Sequence, residues 1–159
     1  MRHFVLPAAA LALMAASPAA AQVKRIGPPA SPILQAAVVP AGTDIVYVSG
    51  ITPPPLSAET PGEFGDTRTQ TIGVLKRIEA ILKAEGLGMG DIFMMRVLLV
   101  GDPAKDGRMD FAGMMEGYNQ FFGTPAQPNK VARITSQVAG LVAPGMMVEI
   151  EVQAARPKK

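Results

Sequence analysis

Arg133, Glu149 and Glu151 are the side chains in this sequence whose types and positions could carry chemistry. Arg133 lies in the strand-like stretch Lys130 to Val138, where a period of two puts it on one face with Val131, Thr135 and Gln137. A guanidinium presents a planar fork of donors, stays charged at any working pH and grips a carboxylate bidentately. Two readings of it stay open: a carboxylate receptor, or a structural partner for Glu149 or Glu151 on the strand that follows. Those glutamates alternate with Val148, Ile150 and Val152, so they share a face with each other and with Gln153. One could orient a water or carry a proton, and both equally suit a solvated sheet surface. Arg96 interrupts an apolar run and reads as an ion-pair partner in a buried or interfacial place.

Composition removes much of the remaining chemistry. The 159 residues include no cysteine, and the single histidine is His3. Nucleophilic triads, thiol redox centres and the usual zinc sites depend on those residue types. Lys+Arg 15 against Asp+Glu 13 gives a net charge of +2, too small an excess for a protein that works by neutralising phosphates. With 48% hydrophobic and 18% charged residues, the chain is globular in type. It has no glycine pattern of the Walker or dinucleotide kind. Tyr118 and the paired methionines suit core or interface packing.

Residues 1–21 are expected to be a secretory signal. Arg2 and His3 precede an apolar run from Phe4 to Ala16, Ser17-Pro18 breaks the helix, and Ala19-Ala20-Ala21 offers a cleavage site before Gln22. The run falls short of the ~20 residues of a spanning helix. The working chain is then residues 22–159, a single domain of charge near +1, periplasmic or secreted, free of the membrane and folded without disulfides.

The elements that must position these residues follow from periodicity. After an extended lead-in, Ile33 to Val39 and Ile45 to Val48 read as strands joined in a hairpin by the turn residues Pro40 to Asp44. A proline-rich loop runs from Thr52 to Gly65. A helix begins at Asp66 or Thr67, with a Thr67–Gln70 capping box, a stripe of Thr71, Val74, Leu75, Ile78, Ile81 and Leu82, and a stop at Gly86. Ile92 to Val100 reads as a buried strand. A second helix carries Phe111, Met114, Met115, Tyr118, Phe121 and Phe122 on one face, ending at Gly123-Thr124-Pro125. Lys130 to Val138 and Met146 to Ala154 are the last strands. The order ββαβαββ describes an α/β (α+β) domain whose two helices cover one sheet face. The middle strand is apolar both ways, with Phe93, Met95, Val97 and Leu99 against Met94, Leu98 and Val100. A strand of that kind is buried on both sides, so a second copy of the chain is expected on the uncovered face.

The landmarks Tyr47-Val48-Ser49-Gly50, Asp66 to Thr71, Asp110-Phe111-Ala112, Tyr118, Phe121-Phe122, Ala132-Arg133, Val138 to Leu141 and Val148 to Glu151, in that order, resemble the RidA (YjgF, or endoribonuclease L-PSP) family. The resemblance spans essentially all of residues 22–159. It implies a chorismate-mutase-like fold, a homotrimer with pockets between subunits, and no metal or organic cofactor. It further implies hydrolysis of 2-iminopropanoate or 2-iminobutanoate, or their enamine precursors, to 2-keto acids and ammonia. Arg133 then holds the substrate carboxylate and Glu149 handles the water. Ser49 and Gly50 form the pocket turn, and Thr135, Ile33 and Met115 complete the binding positions. The alternative is a non-catalytic trimer that binds small carboxylates or a protein partner; the small charge and missing histidine weigh against ribonuclease action and a nucleic-acid partner. Where the family usually has an aromatic, a Gln, an Asn and a Pro, this chain has Ile33, Ile51, Met115 and Val131, which makes the pocket rim more apolar.

Overall fold

The computed structural model describes residues 22–157. The expected signal segment, with His3 in it, and the Lys158-Lys159 tail lie outside the described residues. The chain runs β1 (Lys24–Ile26), β2 (Ala36–Val38), β3 (Ile45–Ile51), α1 (Thr67–Ala84), β4 (Ile92–Asp102), β5 (Arg108–Met109), α2 (Phe111–Tyr118), β6 (Ala132–Val138) and β7 (Val148–Ala155). The main sheet has the order β3–β7–β4–β6, with β5 pairing to the last residues of β4. β4 and β6 are parallel; the other pairings are antiparallel. This is the mixed α+β architecture expected from the sequence. Among the described residues no helix is long and apolar enough to cross a membrane.

The expected hairpin between Ile33–Val39 and Ile45–Val48 does not form. β2 pairs with β1, Lys24 facing Val38, while β3 pairs with β7, Val48 facing Val152. The turn residues do reverse the chain, since the Thr43 amide and hydroxyl both donate to Pro40 O at 3.3 and 2.7 Å. Turn chemistry fixes a local reversal, whereas the partner of a strand is decided by its apolar face. The buried Val48 finds Val152 and the helices beneath it only by joining β7. Leu34 meanwhile donates its amide to Val131 O at 2.9 Å, so the segment before β2 leans on the start of β6.

In α1 the cap is Asp66, whose carboxylate accepts from Thr69 N at 2.7 Å, and not a Thr67–Gln70 box. Gln70 is buried and spent elsewhere. Its amide nitrogen donates to Gly65 O and Gly145 O, both at 2.9 Å, and its oxygen accepts from Met147 N at 2.7 Å. It thereby ties the first turn of the helix to the approach of β7. The expected stripe is buried except Ile81, which is 38% exposed. Gly86, at φ +70°, takes the left-handed conformation that ends the helix.

Helix α2 stops at Tyr118, four residues before the expected end. Two glycines weaken it, Gly113 and Gly117, and its last turn tightens as Gln120 N reaches Gly117 O and Phe121 N reaches Tyr118 O. Gly117 is there for contact: a Cβ would stand 2.8 Å from Thr71 Cβ, so only glycine lets α2 approach α1 this closely. Under the helices lie Met95, Val97 and Leu99 of β4 and Val148, Ile150 and Val152 of β7, all buried. Each such side chain contributes about 1.5–3 kcal/mol. The register slips between Ile92 and Met94, so Ile92, and not Phe93, completes that buried row. On the opposite face Met94, Leu98 and Val100 are only half-buried, Tyr47 is 73% exposed and Ile134 is 50% exposed. That second face carries apolar groups in contact with solvent.

Candidate functional site

Strand pairing settles which way each candidate points. Thr135 lies beside Val97, which lies beside Ile150, so β6 turns Arg133 and Thr135 toward the helices. Glu149 lies beside Leu98, which lies beside Ser136, on the uncovered face. Within one chain Arg133 and Glu149 therefore face opposite ways. No ion pair joins Arg133 to Glu149 or Glu151; Glu151 is instead paired with Arg96 at 3.3 Å on the uncovered face. The structural-partner reading of Arg133 fails; Arg96 does form an ion pair, but its side chain is 55% exposed in the single chain and not buried as expected.

The surroundings of Arg133 are unusual for a cation. Its guanidinium carbon stands 4.5 Å from the centre of the Tyr118 ring and 5.8 Å from that of Phe111. Nη2 reaches Met115 Sδ at 3.1 Å and Nη1 reaches Met114 Sδ at 3.9 Å. The faces of aromatic rings attract a cation, by about 0.5–2 kcal/mol depending on burial. Thioethers are weak acceptors. Nε is buried without a partner among the described residues, and no carboxylate there pairs with the group. Burial lowers the Arg133 pKa from its ordinary value, opposed by the charge of a Tyr118 phenolate, while the guanidinium stays protonated. Burial likewise raises the Tyr118 pKa, opposed by Arg133. Tyr118 stacks on Phe122 with centroids 4.7 Å apart and donates to Pro32 O at 3.3 Å, holding the segment of Ile33 on the same side.

Thr135, two residues along β6, has a buried hydroxyl with no partner among the described residues. Two orphaned polar atoms, Arg133 Nε and Thr135 Oγ1, thus share one strand face, with a third, Thr67 Oγ1, on α1. Ile33 packs at the edge of the core and Met115 is half-buried beside the fork. Arg133, Thr135 and Met115 thus gather on the helix side, with Ile33 anchored near them. Ser49, Gly50 and Glu149 gather on the uncovered side. There β3 and β7 slip register between Val48 and Ile51. A Cβ on Gly50 would fall 2.9 Å from Glu149 Cδ, so the glycine leaves the room in which the carboxylate lies.

A separate hollow lies away from Arg133. A cleft of about 300 Å³ is bordered by Arg25, Thr43, Asp91 and Asn129, and Arg133 does not line it. Its Arg25 is satisfied internally, donating to Ile92 O at 2.9 Å, Gly90 O at 2.8 Å and Lys130 O. An arginine that gives three of its five N–H donors to backbone carbonyls is held as a structural strut, which separates it from Arg133. Sequence reasoning missed the aromatic setting of Arg133. The signal was present, since Phe111, Met114, Met115 and Tyr118 fall at i, i+3, i+4 and i+7, but that spacing also describes a core stripe.

A mixed sheet with both helices on one side and a parallel β4–β6 pair is the architecture this chain shares with solved YjgF-fold proteins. Residues 27–156 match the family model described as Endoribonuclease L-PSP. The chain is 38% identical over 90 residues to a RutC family protein of Pyrococcus horikoshii, a match covering 57% of this chain and 63% of that protein. Among solved structures, Escherichia coli TdcF with bound serine is 31% identical, with a TM-score of 0.57 over 84% of this chain and 98% of that one. A Rid family protein of Yersinia pestis is 20% identical, with a TM-score of 0.67 over 86% of this chain and all of the other, a likeness of fold. The chain belongs to the RidA/YjgF (endoribonuclease L-PSP) family.

Proposed function

We propose that the protein is a 2-imino acid hydrolase of the enamine/imine deaminase kind, working in pockets between the subunits of a homotrimer. Water adds to the imine carbon, ammonia leaves, and a 2-keto acid results; 2-iminopropanoate and 2-iminobutanoate are the substrates in view. The observation that carries this reading is the Arg133 guanidinium, walled by Tyr118 and Phe111 and without a carboxylate of its own. The serine in the related TdcF structure, an amino acid with a free carboxylate, supports a guest of that class.

A protonated imine is already electrophilic, so the site needs orientation more than a strong nucleophile. Arg133 fixes the carboxylate through charge-assisted hydrogen bonds, each contributing about 1.5–3 kcal/mol. Glu149 holds the attacking water and takes its proton. Because the two residues face opposite ways in one chain, the reaction calls for Ser49, Gly50 and Glu149 of one copy beside Arg133 and Thr135 of the next. The half-exposed apolar face around Tyr47 and Ile134 is the surface that a second copy covers. Read as a leader, residues 1–21 support a working trimer in the periplasm or outside.

The test is hydrolysis of enzymatically generated 2-iminopropanoate by the wild type and by Arg133→Ala. Loss of a bidentate contact predicts a fall of about 100-fold or more. A wild-type rate no greater than buffer across several imino acids overturns the reading. One observation favours a second reading, a carboxylate-binding trimer without turnover: Met115 Sδ lies against the fork at 3.1 Å, where a guest must displace it. Calorimetric binding of 2-keto acids with no hydrolysis would select it.

A further inference from the structure

The contact between Met115 and Arg133 is chemically convertible. We propose that Met115 is an oxidation-sensitive cap on Arg133: its sulfoxide would hold the guanidinium fork closed against carboxylates. This rests on the reading of Arg133 as a carboxylate receptor and adds its regulation.

Three observations support it. Met115 Sδ already sits 3.1 Å from Arg133 Nη2, so an oxygen placed on that sulfur stays within reach of the same donor. Met115 is partly exposed, whereas its neighbour Met114 on the same fork is fully buried. Arg133 also has a buried Nε with no partner, and so has donor capacity for a stronger acceptor. As a thioether, Met115 competes poorly with a carboxylate. A sulfoxide is polar and its oxygen accepts hydrogen bonds well, which turns a displaceable neighbour into a competitor.

The step balances with a peroxide as oxidant. The sulfur lone pair attacks one peroxide oxygen, the O–O bond breaks, sulfur gains one oxygen and is oxidised, and the other oxygen leaves as water. The modification is reversible by methionine sulfoxide reductase. Other half-buried methionines, among them Met94, Met109 and Met147, will react too, so the assignment to Met115 must come from a variant.

The full chain is treated with hydrogen peroxide, and each methionine is followed by peptide mass. Two readouts are taken: calorimetric binding of 2-oxobutanoate, and modification of Arg133 by the arginine reagent phenylglyoxal. Oxidation at Met115 is expected to weaken 2-oxobutanoate binding about 10- to 100-fold, the range of one charge-assisted hydrogen bond, and to protect Arg133 from the reagent. Reductase treatment restores both. Met115→Leu, compared with its own untreated state, shows neither change. If wild type oxidised at Met115 leaves Arg133 as reactive as before, or Met115→Leu responds equally, the cap is refuted. A reduced wild type that binds no 2-oxobutanoate refutes the receptor reading, while the reagent still judges the cap by itself.

Discussion

Arg133 and Arg96 are neighbours in the sheet that differ in almost every physical respect. Met95 pairs with Arg133 and Arg96 with Ile134, so the two arginines lie on adjacent strands with opposite orientations. Arg96 points to the uncovered face, 55% exposed, and is matched by Glu151 at 3.3 Å. Arg133 points under α2, half-buried, with rings and sulfurs for company. The same residue type is thus neutralised where water already screens it and left without a counterion where water is scarce. A cation desolvated without a partner is costly, and chains keep such an arrangement where a ligand completes it. The covered side is therefore where polar groups matter most.

Gln70→Leu tests that statement most severely. It takes the buried partner from the half-buried Met147 amide and from the carbonyls of the exposed Gly65 and Gly145, and a polar group left unmet costs about 1–3 kcal/mol where water cannot replace the partner. The expected loss is about 3 kcal/mol in denaturant titration; a change below about 1 kcal/mol would remove the contrast between the faces. Next comes Gly50→Ala on the uncovered side. Its methyl displaces the Glu149 carboxylate, so activity should fall about tenfold or more while stability drops by only about 1–2 kcal/mol. Unchanged hydrolysis there would detach Glu149 from the chemistry.

Asp66→Ala should cost about 1 kcal/mol, the ordinary value of a helix cap. Hydrogen bonds from the Thr69 side chain and amide hold the Asp66 carboxyl below its usual range. The cap's contribution is therefore present above the ordinary carboxylate pKa and disappears as pH falls through the lowered one. The gap between variant and wild type should accordingly close on acidification, checked by thermal unfolding at several pH values. Arg96→Met gives the smallest effect. Removing an exposed pair should alter the stability of the single fold by less than about 1 kcal/mol, measured by denaturant titration.

Much of the covered side was legible because it is written in short periods. Val148, Ile150 and Val152 alternate cleanly with Glu149, Glu151 and Gln153, and the structure buries the first set as expected. The face of Arg133 followed from the same period. Long-range choices were not legible. β3 prefers β7, more than a hundred residues away in sequence, to the nearby β2, and nothing local in Pro40 to Asp44 marks that preference. The capping box failed for a related reason, since Gln70 serves Gly145 and Met147 far along the chain. At the site, strand alternation separated Arg133 from Glu149 only once the registers through β4 were known.

The parallel alignment of β4 and β6 has a consequence for inheritance. Parallel neighbours oblige the backbone to travel back along the sheet before the second strand can start, and α2 lies on that return path. The Arg133 guanidinium, its aromatic walls and the methionine sulfurs against it are consequently encoded in one uninterrupted stretch, residues 92–138. Glu149 and the Gly50 beside it come from strands outside that stretch, one last in the chain and one early. Selection can thus alter the surroundings of Arg133 without touching those of Glu149, and the reverse.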